Sequence, residues 1–154
     1  MKMVGEWQGR EIAIPANVTF KTLGRDTLCY DLLDKPFKIL TYIDSTGCTS
    51  CQFGLHAWRG IIQLCRQQQL DVGFIFVVHS GDFRHFDADV LLYSFDYPIV
   101  YDYHDDFDKL NHFSPAPYRT FLLDKENKVQ LIGSPIGNPQ VWDLYLETIK
   151  TNLF

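Results

Sequence analysis

Two continuous apolar runs, separated by a segment of helical periodicity, constrain the fold of this chain most strongly. Phe37 to Ile43 and Val72 to His79 are short, apolar and rich in β-branched and aromatic residues, which is typical of buried strands. Between them, Thr49 to Gln69 has apolar residues at helical spacing. A strand, a helix and a second strand in this order predict a parallel pair joined by a right-handed crossover.

The rest of the chain continues the alternation. An Asp start and periodic apolar residues predict a helix over Asp82–Ser94, and Asn138-Pro139 supplies a cap and a first residue for the last helix. The other predicted elements are a strand at Tyr97–Tyr101, a helix at Asp106–Phe113, and a hairpin of Thr120–Asp124 with Val129–Gly133. The order β-α-β-α-β-α-β-β-α predicts an α/β fold: a three-layer α/β/α sandwich with a mixed central sheet.

The length of 154 residues predicts one domain, residues 1–154. Residues 1–36 are expected to form an irregular N-terminal extension with extended pieces at Glu11–Ile14 and Val18–Thr22, and residues 37–151 to form the core.

Charge and hydropathy exclude several classes of partner. The net charge is −5 and no Lys/Arg cluster is visible, which argues against nucleic acid or an anionic membrane as the main partner. No stretch approaches the ~18 to 20 apolar residues of a transmembrane helix. Because the first residues lack the apolar block of a secretory leader, the expected location is cytoplasmic, or periplasmic and envelope-associated if a leader has been removed.

The pair Cys48-Thr49-Ser50-Cys51 carries the chemistry suggested by the sequence. It follows the first buried strand through the turn Asp44-Ser45-Thr46-Gly47, at the predicted start of a helix. The free N–H groups and the dipole at a helix start stabilise an anion, so the pKa of Cys48 is expected to be lowered. Ser45 and Thr46 are candidate donors to that thiolate, and Gly47 directly precedes it.

Helical spacing distinguishes the two sulfurs. A single apolar stripe contains Cys51, Leu55, Trp58, Ile62 and Cys65. Cys51 is therefore expected to be sheltered and to act as the resolving thiol, whereas Cys48 lies off the stripe and is expected to be the nucleophile. Cys65, at the end of the stripe, is interpreted as a buried apolar residue, with a third redox thiol as the alternative. Cys29 is interpreted as a buried structural cysteine, with a loop thiol near the site as the alternative.

Other uses of the cysteine pair find less support. Structural zinc needs two further ligands at suitable spacing, and the chain has no second such pair. Haem attachment needs His directly after the second Cys, where this chain has Gln52. A structural disulfide remains an alternative, although closing so small a loop stabilises little. We therefore expect no metal and no cofactor.

The remaining polar candidates have simpler interpretations. The acidic run Asp102, Asp105, Asp106 and Asp108 suggests a solvated loop and helix start, with a carboxylate metal site as the alternative. His79 and His112 are predicted to be polar ends of a strand and a helix, and proton shuttling is the alternative role.

Several segments of this sequence resemble the thioredoxin superfamily, and within it the TlpA-like or redoxin branch. The similarity covers roughly residues 18–151: the lead-in Val18–Pro36, the strand and cysteines Lys38–Cys51, the strand Tyr97–Asp102, and the hairpin Thr120–Lys125 with Gly133. More narrowly, the chain is similar to small thioredoxin-like proteins of Bacteroides-type gut bacteria, many of them envelope lipoproteins. The resemblance implies thiol–disulfide exchange and an envelope location.

The chain departs from that family at three positions. Gly47 stands where an aromatic residue usually precedes the first cysteine, and Tyr42 where many thioredoxins have a buried acid. Pro117 is the candidate for the cis-proline that faces the dithiol, one residue further from the following strand than is usual. The alternative is that Pro115 and Pro117 are two ordinary loop prolines.

The sequence thus predicts a thiol–disulfide oxidoreductase that acts on protein thiols or disulfides and is served by an upstream redox partner. One alternative is a non-catalytic binding module of the same fold with a structural disulfide. The other is a thiol peroxidase, suggested by Arg119 but weakened because Thr41 and Ser45 stand where peroxiredoxins have Pro and Thr before the reactive Cys.

Overall fold

The computed structural model describes residues 7–43, 54–80, 82–113 and 119–152. Its strands are β1 Phe20–Thr22, β2 Arg25–Thr27, β3 Phe37–Ile43, β4 Val72–Val78, β5 Ile99–Tyr101, β6 Thr120–Leu123 and β7 Val129–Ile132. The helices within these ranges are α1 Leu55–Gln67, α2 Arg84–Leu92, α3 Asp106–Asn111 and α4 Pro139–Asn152, with a 3-10 helix at Tyr30–Asp34.

All the described strands belong to one mixed sheet in the order β2-β1-β5-β4-β3-β6-β7. Strands β3, β4 and β5 are parallel, and the remaining pairs are antiparallel. The predicted α/β class and mixed sheet are confirmed. None of the helices in the described part of the chain has the length and apolar character needed to cross a bilayer.

The sheet is covered on both faces, which gives the predicted three layers. One face packs against α1, α2 and α4 through a core that includes Ile39, Phe76, Trp58 and Tyr145. The other face packs against α3 and the N-terminal segment, with Trp7 and other apolar residues in a second core. Because β3 and β4 are covered on both sides, their continuous apolar sequences agree with their position.

Helix α1 carries the apolar stripe that the sequence predicts. Trp58, Ile62 and Cys65 are buried, and the ring of Trp58 meets Phe76 edge-on, with centroids 5.3 Å apart. The described helix begins at Leu55, and the earlier part of the predicted helix, residues 49–53, lies outside the described residues. Gly54, directly before Leu55, has a φ of 66°, a left-handed conformation that glycine adopts without strain.

The N-terminal segment is more regular than the sequence suggests. Leu23 and Gly24 both have positive φ and form a two-residue turn that joins β1 to β2. Strand β1 also pairs with β5, so the hairpin extends the main sheet. Strands of three residues are too short for period-two alternation to be visible in the sequence, which explains the difference.

Lys38, the second residue of β3, has a fully buried side chain. Its Nζ donates hydrogen bonds to the carbonyl oxygens of Leu33 and Lys125, at 3.0 and 3.2 Å. Burial lowers the pKa of Lys38, and the carboxylates of Asp124 and Asp34 oppose that shift. The side chain thereby ties the 3-10 helix to the β6–β7 turn.

Candidate active site

The carboxyl ends of the three parallel strands lie side by side at one edge of the sheet. Ile43, the last residue of β3, is in register with Val78 of β4, which is in register with Tyr101 of β5. Strand β6 runs the opposite way and enters at the same edge, since Thr120 pairs with Thr41. Chemistry in α/β sheets is commonly found at this edge.

The residues predicted to carry the chemistry, Cys48, Cys51, Ser45, Thr46, Gly47 and Pro117, lie outside the described residues. The described residues that flank them are Ile43 and Gly54 on either side of the cysteines, and Arg119 after the prolines. The backbone N–H of Tyr42 donates to the carbonyl of Arg119 at 2.9 Å. The chain therefore leaves β3 and enters β6 at neighbouring points of the sheet edge.

A buried pair of threonines joins these two strands. The hydroxyl oxygens of Thr41 and Thr120 lie 2.6 Å apart, and each side chain is nearly inaccessible to solvent. A hydrogen bond between buried hydroxyls satisfies two groups that would otherwise destabilise the core. It fixes the start of β6 against the end of β3.

Tyr42 has a polar partner at the same edge. Its ring is buried, and its hydroxyl donates to Oδ1 of Asp105 at 2.5 Å. The guanidinium of Arg119 lies over the ring, with Cζ 5.7 Å from the centroid. Asp105 itself has a φ of 57°, a left-handed conformation that costs free energy in a residue other than glycine. These contacts link the end of β3 to the turn after β5.

Asp102 organises that turn. Its side chain is 6% exposed, and its carboxylate accepts the backbone N–H groups of Asp106 at 2.8 Å and Phe107 at 3.0 Å. These are two of the donors that a helix start leaves unpaired, so Asp102 caps α3. The solvated loop predicted for the acidic run is therefore wrong at Asp102, because its carboxylate is buried against the helix start.

His79 is the first residue after β4, at this same edge. Its backbone N–H donates to the carbonyl of Ile43 at 2.8 Å, and its Nδ1 lies 2.6 Å from the carbonyl oxygen of Asp102. The ring is half-buried. The prediction of a polar strand end is confirmed.

The two described cysteines lie apart from this cluster. Cys65 is 3% exposed, and burial raises the pKa of its thiol to about 11. It is a buried apolar residue, as predicted. Cys29 directly precedes the 3-10 helix and is half-buried against the second core, so the predicted burial is only partial.

Within residues 7–43, 54–80, 82–113 and 119–152, no group of three or more His, Cys, Asp or Glu side chains is arranged to hold a metal ion. The acidic run has the structural roles described for Asp102 and Asp105. Neither contact was predicted from the sequence. The contact of Asp102 with the start of α3 has a recognisable signal, because an Asp a few residues before a predicted helix often caps it. Nothing in the local sequence pattern indicates the contact between Tyr42 and Asp105.

Comparison with known proteins supports the fold. No family model matches the chain. No curated protein matches it either. Among solved structures, the thioredoxin domain of a thiol-disulfide oxidoreductase from Bacteroides vulgatus is 15% identical, with a TM-score of 0.59, over 92% of this chain and 97% of that one.

Two further solved structures give the same picture. StoA from Bacillus subtilis is 21% identical, with a TM-score of 0.57, over 79% of this chain and 89% of its own. A thiol:disulfide interchange protein from a Bacteroides species is 15% identical, with a TM-score of 0.58, over 92% and 91%. The architecture described above, together with these similarities, shows that the chain has the thioredoxin fold.

Proposed function

We propose that this chain is a thiol–disulfide oxidoreductase that uses Cys48 and Cys51 to exchange a dithiol for a disulfide with protein substrates. The observation that carries the proposal is the position of the Cys-x-x-Cys pair in the sequence. It falls in the connection from the buried strand β3, which ends at Ile43, to helix α1, which begins at Leu55, in a chain of thioredoxin fold.

The similar structures support this reading. Two of those reported above are named for thiol–disulfide exchange, one as an oxidoreductase and one as an interchange protein. At 15% identity they establish the fold, and the activity of this chain is proposed on its own two cysteines.

The two cysteines have different roles in the proposal. In the sequence, Cys51 falls seven residues before Trp58, at the spacing of the predicted apolar stripe, and its members Trp58, Ile62 and Cys65 are buried. We assign Cys51 as the resolving thiol and Cys48 as the nucleophile. Ser45, Thr46 and Gly47 are assigned to support the Cys48 thiolate, because they directly precede it in the connection from β3 to α1.

The exchange is balanced in two steps. The Cys48 thiolate attacks a substrate disulfide, forms a Cys48–substrate disulfide and releases one substrate thiolate. Cys51 then attacks Cys48, forms the Cys48–Cys51 disulfide and releases the second substrate sulfur. The protein loses two electrons, the substrate gains them, and an upstream redox partner restores the starting state.

Pro117 is assigned to the segment that meets the substrate chain. It lies two residues before Arg119, whose carbonyl accepts the N–H of Tyr42 near the end of β3. An exposed backbone beside a reactive disulfide would align an extended substrate segment by main-chain hydrogen bonds.

Alkylation rates across pH test the proposal. We expect Cys48 to react with iodoacetamide far faster than a cysteine of the urea-denatured chain at pH 7, because its pKa lies below the ~8.5 of a free thiol. The variant Cys51→Ser should accumulate a mixed disulfide with an oxidised protein substrate, and Cys48→Ser should not. The matched controls Cys29→Ser and Cys65→Ala should leave both results unchanged.

Equal labelling of native and denatured chains, together with no mixed disulfide in Cys51→Ser, would contradict catalysis. That outcome would favour a binding module whose cysteines form a structural disulfide.

A further inference from the structure

A cleft separates helix α1 from the loop that joins α2 to β5. Its volume is about 230 Å³, and its two walls are Arg59, Ile62, Gln63 and Arg66 of α1 and residues 94–97 of the loop. We call it the arginine cleft. The loop leads into the amino end of β5, so this wall lies away from the carboxyl ends of the parallel strands. Its position sets the arginine cleft apart from the candidate active site.

Helical spacing brings the polar side chains of α1 to one wall of the cleft. Arg59 and Arg66 are seven residues apart, which is almost two turns and about 10 Å along the helix axis. Gln63 lies between them on the same face. Ile62 and Phe95 are buried and contribute the apolar part of the lining. The arginine cleft thus combines an apolar base with several hydrogen-bond donors.

The wall opposite α1 is fixed by backbone hydrogen bonds. The N–H of Ser94 donates to the carbonyl of Leu91 at 3.2 Å, and the N–H of Phe95 to the carbonyl of Val90 at 3.0 Å. These bonds close the end of α2. The guanidinium of Arg59 joins the two walls, since it donates to the carbonyl of Tyr93. The cleft is therefore preformed, and a ligand that binds there does not have to order the loop.

Arg66 is exposed and, within the described residues, forms no ion pair and no side-chain hydrogen bond. Its charge acts on the tyrosine of the opposite wall. Burial raises the pKa of Tyr97 to about 12, and the hydrogen bond from the Phe74 N–H and the charge of Arg66 oppose that shift. A guanidinium presents five N–H donors in a planar fork that matches carboxylate and phosphate oxygens. The donors of Arg66 are therefore available to an oxyanion.

The balance of charge in the cleft is positive. Helix α1 carries Arg59 and Arg66 and no Asp or Glu, in a chain whose net charge is −5. The lining contains one carboxylate, that of Asp96, which is exposed and forms no ion pair in the described part of the chain. Two guanidinium groups and one carboxylate leave a net charge of +1. A concave surface of one sign concentrates small ions of the opposite sign.

We propose that the arginine cleft binds a small molecule through an oxyanion, a phosphate or a carboxylate group. The guanidinium groups of Arg59 and Arg66 bind the oxyanion, and Ile62 and Phe95 contact the apolar part of the ligand. Because the cleft is smaller than the about 300 to 1,000 Å³ of common ligand pockets, it suits a ligand of few atoms. The carboxylate of Asp96 opposes an anion and weakens its binding. This site goes beyond the proposed exchange reaction and does not depend on it.

Titration of the ¹⁵N-labelled protein with inorganic phosphate, followed through the backbone amide shifts, tests the proposal. The ionic strength is held constant, so that changes in screening do not move the shifts. A second titration with succinate distinguishes the two oxyanions, since the tighter ligand identifies the group that the cleft prefers. We expect saturable shifts for the amides of residues 62–66 and 94–97 with at least one of the two probes.

Three charge variants separate a built site from general attraction. We expect Arg66→Gln to weaken binding by about tenfold, because a hydrogen bond to a charged group is lost. Asp96→Asn should strengthen it by about threefold, because a like charge is removed. The matched control Arg25→Gln, at an exposed position of β2, should stay within a factor of two of wild type.

Three results would overturn the proposal. One is the lack of saturable shifts with both probes, and another is shifts that saturate only outside the cleft. The third is an equal weakening by Arg25→Gln and Arg66→Gln, which would indicate attraction by the overall charge. Unchanged amide shifts in the rest of the spectrum verify that each variant is folded.

Discussion

Replacement of Asp102 by alanine tests the organisation of the sheet edge most directly. The buried carboxylate accepts two backbone N–H groups at the start of α3, at 2.8 and 3.0 Å. Hydrogen bonds to a charged group contribute about 1.5 to 3 kcal/mol each, and loss of a capping side chain costs about 0.5 to 2 kcal/mol in all. Because the N–H of Phe107 is buried, water cannot fully replace the lost acceptor. We expect Asp102→Ala to lower the free energy of unfolding by about 3 kcal/mol.

Urea unfolding monitored by tryptophan fluorescence measures that loss, because Trp7 stacks on Phe113 just beyond α3, with ring centroids 5.5 Å apart. Asp102→Asn keeps one acceptor oxygen and should lose about half as much. Asp143→Ala, on an exposed position of α4, is the matched control and should stay within about 0.5 kcal/mol of wild type. A loss below about 1 kcal/mol for Asp102→Ala, with an unchanged urea dependence, would refute the capping argument.

Three further predictions concern buried titratable groups. Burial raises the pKa of Tyr97 to about 12, so up to about 2.7 kcal/mol of stability present below pH 10 should be lost between pH 10 and 12. In urea unfolding curves between pH 10 and 12, Tyr97→Phe should lose less stability than wild type. At pH 8 the variant should already be about 1 to 3 kcal/mol less stable, because it lacks the hydroxyl that accepts the Phe74 N–H. Burial lowers the pKa of Lys38, so the folded protein releases the Lys38 proton at a lower pH than the unfolded chain does. The free energy of unfolding should therefore rise with pH up to about 10.4, the usual pKa of a lysine. Urea unfolding of Lys38→Met across pH should lack that rise. Burial raises the pKa of Cys65 to about 11, so mass spectrometry should find Cys65 unlabelled by iodoacetamide at pH 7.5 in the native protein and labelled in urea.

The central strands were predictable because each is covered on both faces and reads as an unbroken apolar run. The predicted Phe37–Ile43 strand agrees with β3, and Val72–His79 ends one residue beyond β4. Amphipathic spacing likewise identifies the buried side of α1. The left-handed backbone of Gly54 was not predictable from periodicity, because the spacing of apolar side chains carries no information on the φ of one glycine.

Contacts between segments distant in sequence were the least predictable. Tyr42 and Asp105 are joined by a hydrogen bond although they are 63 residues apart, and Nδ1 of His79 meets a main-chain carbonyl. Because every residue has a main-chain carbonyl, the sequence does not show which carbonyl accepts the hydrogen bond of His79. The sequence therefore predicts that His79 ends a strand, whereas the orientation of its ring depends on how β4 and β5 are aligned in the sheet.

The two outer strands of the sheet restrict how a substrate can bind. One outer strand, β2, is three residues long and presents the exposed side chains of Arg25 and Asp26, which disfavour pairing with another chain. At the opposite margin, the N-terminal segment forms backbone hydrogen bonds with Val129 of β7 through Gly9 and Arg10. Both outer strands of the described sheet are therefore unfavourable sites for strand addition by an incoming polypeptide. A substrate of the proposed exchange would then bind at the ends of the strands rather than along the outer strands of the sheet.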